Sequence, residues 1–413
     1  QMENTTLTLP AGNSSALSLC PSAATLFVLP FVYSLLFLTS LPGNALSLWV
    51  FQRCISSISP IHIYLSHLSI SNLILSLTTP FLVAYFARGS VWTLSATLCQ
   101  LVLHGITPVL HINIYIGLMI LTWVALSRFA SLIQRTHASR PSSCTTLLPH
   151  GFFFTCLTKT SFASRVCFTM WAVAVGGIVP VTVYYSVKEV VSGEVAQGGG
   201  RVEVCYNPAV EIGGRMSAVL HMPAISLFFV FYLLVLLSYM TVLRHIRNSR
   251  RSANVTTSQS LLRRVSRNIV VIQVVLSVCL LPYHIFKPIF IFLAHNQHQL
   301  TYSPGPNVYN HCHPLSKFVE LKNCLLLLAA LRGSTDPLMY FLLDKTFRYQ
   351  TLRLLRCDRI NPGGKQTCWS VTGSANQRAE ALELGEGNVA TATVGSSHES
   401  VLNPTNLSCE NDI

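Results

Sequence analysis

The chain has 413 residues, of which 51% are hydrophobic and only 10% carry a charge, and its mean hydropathy is +0.49. Soluble domains carry about 25% charged residues, so this composition excludes an ordinary soluble protein and predicts a membrane protein. The formal net charge of +13 suits anionic lipid or an acidic partner at one membrane face, and it does not indicate binding to nucleic acid.

Seven apolar segments are long enough to cross the roughly 30 Å hydrocarbon core of a bilayer as helices. They run from about Thr25 to Phe51, Ile61 to Phe86, Leu98 to Phe129, Val166 to Val187, Met216 to Ile246, Val265 to Leu293 and Lys317 to Leu343. The sequence therefore predicts an all-α, seven-transmembrane helix bundle over residues 25–343, preceded by an amino-terminal segment of residues 1–24.

The positive charges predict the orientation of this bundle. Of the 28 Lys and Arg residues, 20 lie at Arg53, in the connections 128–165 and 244–267, and after Leu343. Positive residues collect on the cytoplasmic side of membrane proteins, so the amino terminus is expected to be extracellular, in a multi-pass protein of the plasma membrane. The first apolar run is too long for a signal-peptide core, so we expect helix one to act as its own insertion signal.

The outer segments contain sites for covalent modification. Sequons begin at Asn4 and Asn13 and predict glycosylation of an outer amino terminus. Four of the 13 cysteines fall on the outer side, and in an oxidising compartment they allow three pairings. They are Cys20, Cys99, Cys205 and Cys312. No two cysteines have the CxxC spacing typical of a metal site, so neither a metal nor another cofactor is predicted.

The residues after the seventh span divide into two parts. Residues 344–357 alternate apolar and basic side chains at helical spacing and predict an amphipathic helix on the inner leaflet. Cys357 ends this segment and is a candidate for palmitoylation, which would add a second lipid anchor. Residues 358–413 are rich in Gly, Ser, Thr and Asn, and they predict a disordered cytoplasmic tail with phosphate acceptors.

A charged pair stands inside the seventh apolar segment. Arg332 and Asp336 are four residues apart, so on a helix they share one face within reach of each other. Pro337 lacks a backbone N–H, which frees the carbonyl of Gly333. Ionisable residues at membrane depth are costly and indicate function. Two interpretations stay open, a static ion pair that lets the helix pack and a pair that switches during function.

The order of these features resembles the rhodopsin-like (class A) G-protein-coupled receptors over residues 21–357. The resemblance includes seven helices, an outer amino terminus and Arg128 at the inner end of helix three. The motifs that carry it are Gly43-Asn44, Trp171 with Pro180, Cys279-Leu280-Leu281-Pro282 and Asp336-Pro337-Leu338-Met339-Tyr340. Asp336-Pro337 and the stretch from Tyr283 to Lys287 are similar to the purinergic-related branch of this class.

The resemblance implies a function and its partners. A receptor of this class transmits an extracellular signal to heterotrimeric G proteins by repacking helices five to seven, with arrestin and receptor kinases acting on the Ser/Thr-rich tail. The implied disulfides are Cys99 with Cys205 and Cys20 with Cys312. The residues expected to move or to face the G protein are Ser127, Arg128, Tyr239, Cys279, Pro282, Pro337 and Tyr340.

Among the positions that depart from the class, three change a charged or amide side chain. The acid usual before the helix-three arginine is Ser127, which removes the local clamp on Arg128 and predicts a loosely held inactive state. The helix-two aspartate that binds sodium in most relatives is Asn72, while the usual Asn of helix seven is Asp336. We therefore hypothesise that the Arg332 guanidinium occupies the sodium position and neutralises Asp336.

The outer half of the bundle contains the predicted ligand-binding residues. Lys287 and Lys322, with few acids nearby, favour an anionic small molecule or a lipid head group. Leu326 stands where nucleotide receptors usually carry an arginine, which argues against a phosphate. The candidates are His111, Asn113, Tyr115, Tyr283, His284, Lys287 and Lys322.

Two other functions stay open. With Ser127 beside Arg128, the chain is alternatively a constitutively active or partner-regulating receptor without a conventional ligand. A seven-helix channel or transporter is less favoured, because neither a continuous polar path nor repeated half-bundles are visible. No Gly-rich nucleotide-binding loop or metal motif favours an enzyme.

Overall fold

The computed structural model describes residues 20–89, 105–138, 155–185, 215–251, 256–300 and 314–360. Within these ranges the chain forms helices and no β-strand. Seven of the helices are long and apolar enough to cross a membrane, which confirms the predicted seven-helix bundle. We call the end of the bundle where the first helix begins the upper end, and the opposite end the lower end.

The helices are numbered in chain order. α1 is Ala24–Cys54, α2 is Pro60–Ala87, α3 is Thr107–Ala138 and α4 is Thr160–Tyr185. α5 is Arg215–Arg251, and α6 joins Thr256–Val275 to Leu281–Leu300 through a π-helical turn at Leu276–Leu280. α7 is Ser316–Leu343, and α8, which overlaps the segment predicted to be amphipathic, is Lys345–Ile360.

Several helices extend further at the lower end than hydropathy predicted. α3 continues to Ala138 rather than ending near Phe129, and α6 begins at Thr256 rather than near Val265. Hydropathy detects only the part of a helix that lies in hydrocarbon. The backbone hydrogen bonds add one residue after another beyond that depth, so the helix continues into the polar region.

α3 is the central helix of the bundle and α4 the most peripheral. α3 packs on α2, α5 and α6, and its spanning part is the most buried of the seven, whereas that of α4 is the least. α1 packs on α2 and α7, and α6 packs on α5 and α7. The exposed side chains of the spans include large apolar groups such as Phe31 and Phe168, which suit contact with lipid tails.

Local capping brings two polar side chains together at the lower end. Ser59 Oγ accepts the His62 N–H at 3.4 Å and His62 Nδ1 accepts the Ser59 N–H at 3.2 Å, while Pro60 occupies the first helical position of α2. α7 ends where Asp344 becomes extended, and Asp344 Oδ1 accepts the Phe347 N–H at 2.9 Å as the cap of α8. The caps of α2 and α8 therefore place His62 beside Asp344.

Candidate functional site

The polar residues in the middle of the bundle form what we call the central cluster: Arg332 and Asp336 of α7, Asn72 of α2 and Asn44 of α1. Arg332 Nη1 lies 3.0 Å from Asp336 Oδ2, and both side chains are fully buried. Asn72 Nδ2 donates to the same carboxylate oxygen at 2.8 Å and to Asn44 Oδ1 at 3.0 Å, and Asn72 Oδ1 accepts from Arg332 Nη2 at 3.4 Å. The pair that the four-residue spacing suggested is formed, and an amide from α2 binds both of its members.

α1 satisfies the carbonyl that Pro337 frees. Asn44 Nδ2 donates to the Gly333 carbonyl oxygen at 2.9 Å, at the position where the sequence predicted a freed acceptor. α1 approaches this closely because Gly43 has no side chain, and a Cβ there would lie 3.2 Å from Pro337 Cγ. The adjacent residues Gly43 and Asn44 therefore supply the close approach and the hydrogen bond at one helix contact.

α3 makes room for the Arg332 guanidinium at Gly117. A Cβ on Gly117 would lie 2.1 Å from Arg332 Nη2 and 2.4 Å from both Cζ and Nη1. Since the interior is close-packed, the guanidinium fills the volume that any other side chain at position 117 would need. Arg332 is thus enclosed by α2, α3 and α7.

Arg128, at the lower end of α3, contacts the end of α7. Its Nη2 donates to the Leu343 carbonyl oxygen at 3.2 Å and lies 3.8 Å from Asp344 Oδ2. Asn268 of α6 donates its Nδ2 to the same carbonyl at 3.3 Å. The last carbonyls of a helix lack intrahelical donors and carry the negative end of its dipole, so they favour a cation. We call Arg128, Asp344, His62, Asn268 and the Leu343 carbonyl the lower cluster.

Asp344 is held from two sides. His62 Nε2 lies 3.1 Å from Asp344 Oδ2. Because His62 Nδ1 accepts the Ser59 N–H, Nε2 carries the proton and donates to the carboxylate. Burial alone would raise the pKa of the Asp344 carboxyl, but the hydrogen bonds from His62 and Phe347 and the charge of Arg128 outweigh it, and the pKa is lowered. Asp344 is therefore ionised near neutral pH.

Ser127 does not take the place of the missing acid. Its side chain is buried, and its Oγ donates to the Leu157 carbonyl at 3.3 Å, across the connection between α3 and α4. The acid that pairs with Arg128 among the described residues is Asp344, which lies more than 200 positions later in the sequence. Ser127 thus gives Arg128 no local clamp, as expected, and the carboxylate near Arg128 belongs to the turn between α7 and α8. The loosely held inactive state stays a prediction.

His284 is the centre of an aromatic group in the upper half of the bundle. Its ring stacks on Phe228 of α5 with centroids 3.8 Å apart. His284 Nδ1 lies 2.8 Å from the Leu280 carbonyl oxygen and Nε2 lies 3.2 Å from the Tyr115 hydroxyl. Nδ1 therefore carries the proton and Nε2 accepts from Tyr115. Both ring nitrogens are used inside the protein, so His284 fixes α3, α5 and α6 against one another.

The other candidate ligand-binding residues of the upper half are of two kinds, residues that pack between helices and residues that carry a charge. The His111 ring lies 5.7 Å from that of His221 and 6.5 Å from that of Tyr283. Asn113 accepts the Ser71 hydroxyl at 3.0 Å and donates to the Val109 carbonyl at 2.8 Å, so it joins α2 to α3. These contacts make Asn113 primarily a packing residue.

Two buried lysines and one glutamate lie in the upper parts of α6 and α7. The side chains of Lys287 and Lys322 are buried, and Lys322 Nζ lies 5.3 Å from the centre of the Phe290 ring, a cation–π contact. Glu320 accepts hydrogen bonds from the start of α1, from Ser22 Oγ and from Thr25 N and Oγ1 at 3.1 and 2.7 Å. Its carboxylate is thus committed to α1.

The remaining residues assigned to activation lie between the middle of the bundle and its lower end. Tyr340 is buried between Phe51 of α1 and Phe347 of α8, with ring centroids 5.7 and 6.0 Å away. Cys279 lies in the π-helical turn of α6, and Pro282 follows that turn. Tyr239 of α5 is half-buried and packs against the apolar core.

Most of the predicted modification sites lie outside the described residues. Cys20 is disulfide-bonded, and Cys357 belongs to α8, although its side chain is not among those described. The sites outside are Asn4, Asn13, Cys99, Cys205, Cys312 and the tail from residue 361. Their pairing and modification stay predictions.

Four residues that belong to the central or lower cluster or pack against it were not assigned a role from the sequence. Gly117 is isolated among large apolar residues, and an isolated glycine in a helix often marks a close approach. Asp344 stands just before a helical pattern, a position where Asp is a common cap. His62 stands between two isoleucines and Asn268 follows Ser266 and Arg267, and neither carries a comparable signal.

Seven membrane-spanning helices, a buried charged pair on α7 and an arginine held at the lower end of α3 define a seven-helix membrane receptor. The chain matches the family model of the 7 transmembrane receptor (rhodopsin family) over residues 43–340. It belongs to this family, and it is a class A G-protein-coupled receptor and a multi-pass membrane protein. The resemblance seen in the sequence is confirmed, and the family is one of receptors rather than enzymes.

The relatives include receptors of the purinergic-related branch. The chain is 35% identical to the probable G-protein coupled receptor 82 of Homo sapiens over 336 residues, which cover 81% of this chain and 94% of that receptor. It is 26% identical to the probable G-protein coupled receptor 34 of Pan troglodytes over 352 residues, covering 84% and 81% of the two chains. It is 23% identical to the uracil nucleotide/cysteinyl leukotriene receptor of Homo sapiens over 329 residues, covering 79% and 76%.

Proposed function

We propose that the chain transmits an extracellular signal to heterotrimeric G proteins through a cleft that opens at its lower end between α3, α6 and α7. The supporting observation is that Arg128 of α3 and Asn268 of α6 donate to one carbonyl, that of Leu343 at the end of α7. An outward movement of α6 breaks the Asn268 hydrogen bond and opens the space beside Arg128. Arg128 and Tyr239 would then face the partner.

The proposal places the lower end in the cytoplasm and the protein in the plasma membrane. This orientation agrees with the distribution of Lys and Arg. It also suits α8, on which Leu352 and Leu355 are exposed beside the basic residue Arg353, as expected for a helix that binds the inner leaflet. A palmitoyl group on Cys357 would then strengthen the contact with lipid, and the tail would be available to receptor kinases and arrestin.

The same orientation puts the two proposed disulfides outside the cell, Cys99 with Cys205 and Cys20 with Cys312. The second is supported by the position of Cys20, whose backbone N–H lies 3.4 Å from Ser316 Oγ at the start of α7, four residues after Cys312. Glycosylation of Asn4 and Asn13 would occur on the same side.

The proposed ligand is an anionic small molecule or lipid that binds in the upper half of the bundle. Lys287 of α6 and Lys322 of α7 are two buried lysines of the upper half. An anion would gain strongly from two cations in a low-dielectric site. The relative named for uracil nucleotides and cysteinyl leukotrienes is, by that name, a receptor for anionic molecules.

Coupling to G proteins is tested with dissociation sensors for each G-protein class in cells without added ligand. We expect a small basal output from the wild-type chain that Arg128→Ala abolishes, because the guanidinium is the cation that the opened cleft presents. Arg53→Ala, an exposed arginine at the lower end of α1, should leave the output unchanged at equal surface expression. A basal output that Arg128→Ala leaves unchanged would contradict the coupling through Arg128. High basal output that is lost in Arg128→Ala would favour the ligand-independent alternative, and a silent wild-type chain would show that a ligand is required.

The ligand is sought in the same cells with nucleotides, carboxylates and phospholipids as probes. A true agonist should lose about tenfold or more in potency in Lys287→Met and in Lys322→Met, since each removes one of the two buried cations proposed to bind it. Lys317→Met, at an exposed position of α7, serves as the matched control. Equal potency in all three variants would contradict the proposed charge recognition.

We also propose that the chain signals independently of sodium, because Arg332 already supplies a cation to Asp336. A second cation in the central cluster would be repelled by the guanidinium 3.0 Å from the carboxylate. Replacing sodium by choline at constant ionic strength should leave nucleotide exchange in isolated membranes unchanged. Nucleotide exchange that depends on sodium in the wild-type chain would overturn the proposal.

A further inference from the structure

Asp344 makes more contacts than a helix cap requires. Its Oδ1 accepts the Phe347 N–H and begins α8, which would be sufficient for capping. Its Oδ2 points the other way, 3.1 Å from His62 Nε2 and 3.8 Å from Arg128 Nη2. The carboxylate is therefore fixed at both oxygens and cannot rotate away from Arg128.

The His62 hydrogen bond has a defined direction that favours this arrangement. His62 Nδ1 is occupied by the Ser59 N–H, so only Nε2–H is available to donate to Asp344. The histidine thus aligns the carboxylate through the same oxygen that Arg128 approaches. α2, α3 and the turn between α7 and α8 meet at one oxygen atom, Asp344 Oδ2.

We propose that Asp344 is the positioning residue that holds Arg128 in the closed state of the lower cleft, in place of the acid absent at position 127. The inference rests on the proposed G-protein coupling through Arg128. Ser127 is turned toward Leu157, so the restraint on the α3 arginine comes from α7 and α8. Moving the α7–α8 turn would then free Arg128 from both Asp344 and the Leu343 carbonyl, and a ligand reaches this restraint through α7.

Asp344→Asn removes the restraint and keeps the cap. Asn is as good a helix cap as Asp, and its carbonyl oxygen can still accept the Phe347 N–H. Its amide nitrogen is then a donor directed at two other donors, those of His62 and Arg128. We expect basal G-protein dissociation to rise about fivefold at equal surface expression, the effect of losing one partly buried ion pair.

Two further variants separate the restraint from a general structural effect. Lys345→Gln removes an exposed charge from the next residue and should leave the basal output unchanged. Ser127→Asp, added to Asp344→Asn, restores an acid beside Arg128 and should return the output toward the wild-type value. A loss of α8 stability would not be reversed by an acid on α3. Should Asp344→Asn fail to reach the surface, the variant His62→Phe is used in its place. His62→Phe keeps the Asp344 carboxylate but removes the imidazole that aligns it.

Hydrogen–deuterium exchange of the purified full chain in lipid nanodiscs supplies a readout that needs no G protein. Residues 266–275 of α6 should exchange faster in Asp344→Asn than in wild type, because the cleft opens more often. Unchanged exchange in Asp344→Asn and His62→Phe would overturn the role of Asp344, whatever the signalling result. Faster exchange without any G-protein dissociation would support that role and refute the proposed coupling instead.

Discussion

Replacing Arg332 by leucine is expected to remove most of the folded chain from the cell surface. The substitution leaves the fully buried Asp336 without the guanidinium that lies 3.0 Å away, and removing one partner of a buried ion pair typically costs about 3–5 kcal/mol. The remaining contact from Asn72 Nδ2 is a neutral hydrogen bond and cannot replace a charge. Surface staining and the melting temperature of the purified chain measure the loss.

The double variant Arg332→Leu/Asp336→Asn is the matched control for this result. It removes both charges, and asparagine can still accept a hydrogen bond from Asn72. Replacing a buried pair by neutral groups is often tolerated, so we expect much of the surface expression to return. A double variant as unstable as Arg332→Leu would show that the pair matters for its shape rather than for charge compensation.

Gly117→Ala is expected to destabilise the chain by about 1–3 kcal/mol, although alanine is the better helix former. The new Cβ would lie 2.1 Å from Arg332 Nη2. The tip of an arginine is usually easy to move, but this one is fully buried and bonded to Asp336 and Asn72, so moving it breaks those contacts. The melting temperature of the purified chain is the direct measure.

Gly176→Ala is the control for the change in helix propensity. A Cβ at Gly176, on the peripheral helix α4, would meet nothing within 4 Å, so we expect no loss of stability. In the background Arg332→Leu/Asp336→Asn, Gly117→Ala should also lower the stability only slightly, because the guanidinium is absent. If Gly117→Ala lowers the stability equally with and without Arg332, the absence of a side chain at Gly117 is not what accommodates Arg332.

The contact between Arg332 and Asp336 illustrates what a local pattern can predict. Both residues lie on one helix, so the helical repeat fixes their distance before any other helix is placed. The same holds for the Gly333 carbonyl, whose loss of a donor follows from Pro337 alone. The sequence does not show that Asn44 of α1 donates the replacement hydrogen bond to this carbonyl, because that contact depends on how two distant helices pack.

The lower cluster illustrates the opposite case. The sequence shows that the neighbour of Arg128 is Ser127 and suggests a loosely held arginine. The structure pairs Arg128 with Asp344, and the direction of the Ser127 hydroxyl toward Leu157 is likewise a tertiary result. The lack of an acid next to Arg128 in the sequence therefore did not imply that no acid lies near it in the structure.

The sequence by itself determined the class of protein, the seven spans and the charged pair on α7, because hydrophobic length and helical spacing act within one segment. Only the tertiary structure decided that Gly117 accommodates Arg332, that Asn72 binds both members of the pair, and that Asp344 contacts Arg128. These contacts join residues far apart in the chain, and side-chain identity alone does not specify which helices face one another. Close packing of the bundle brings them within hydrogen-bonding distance.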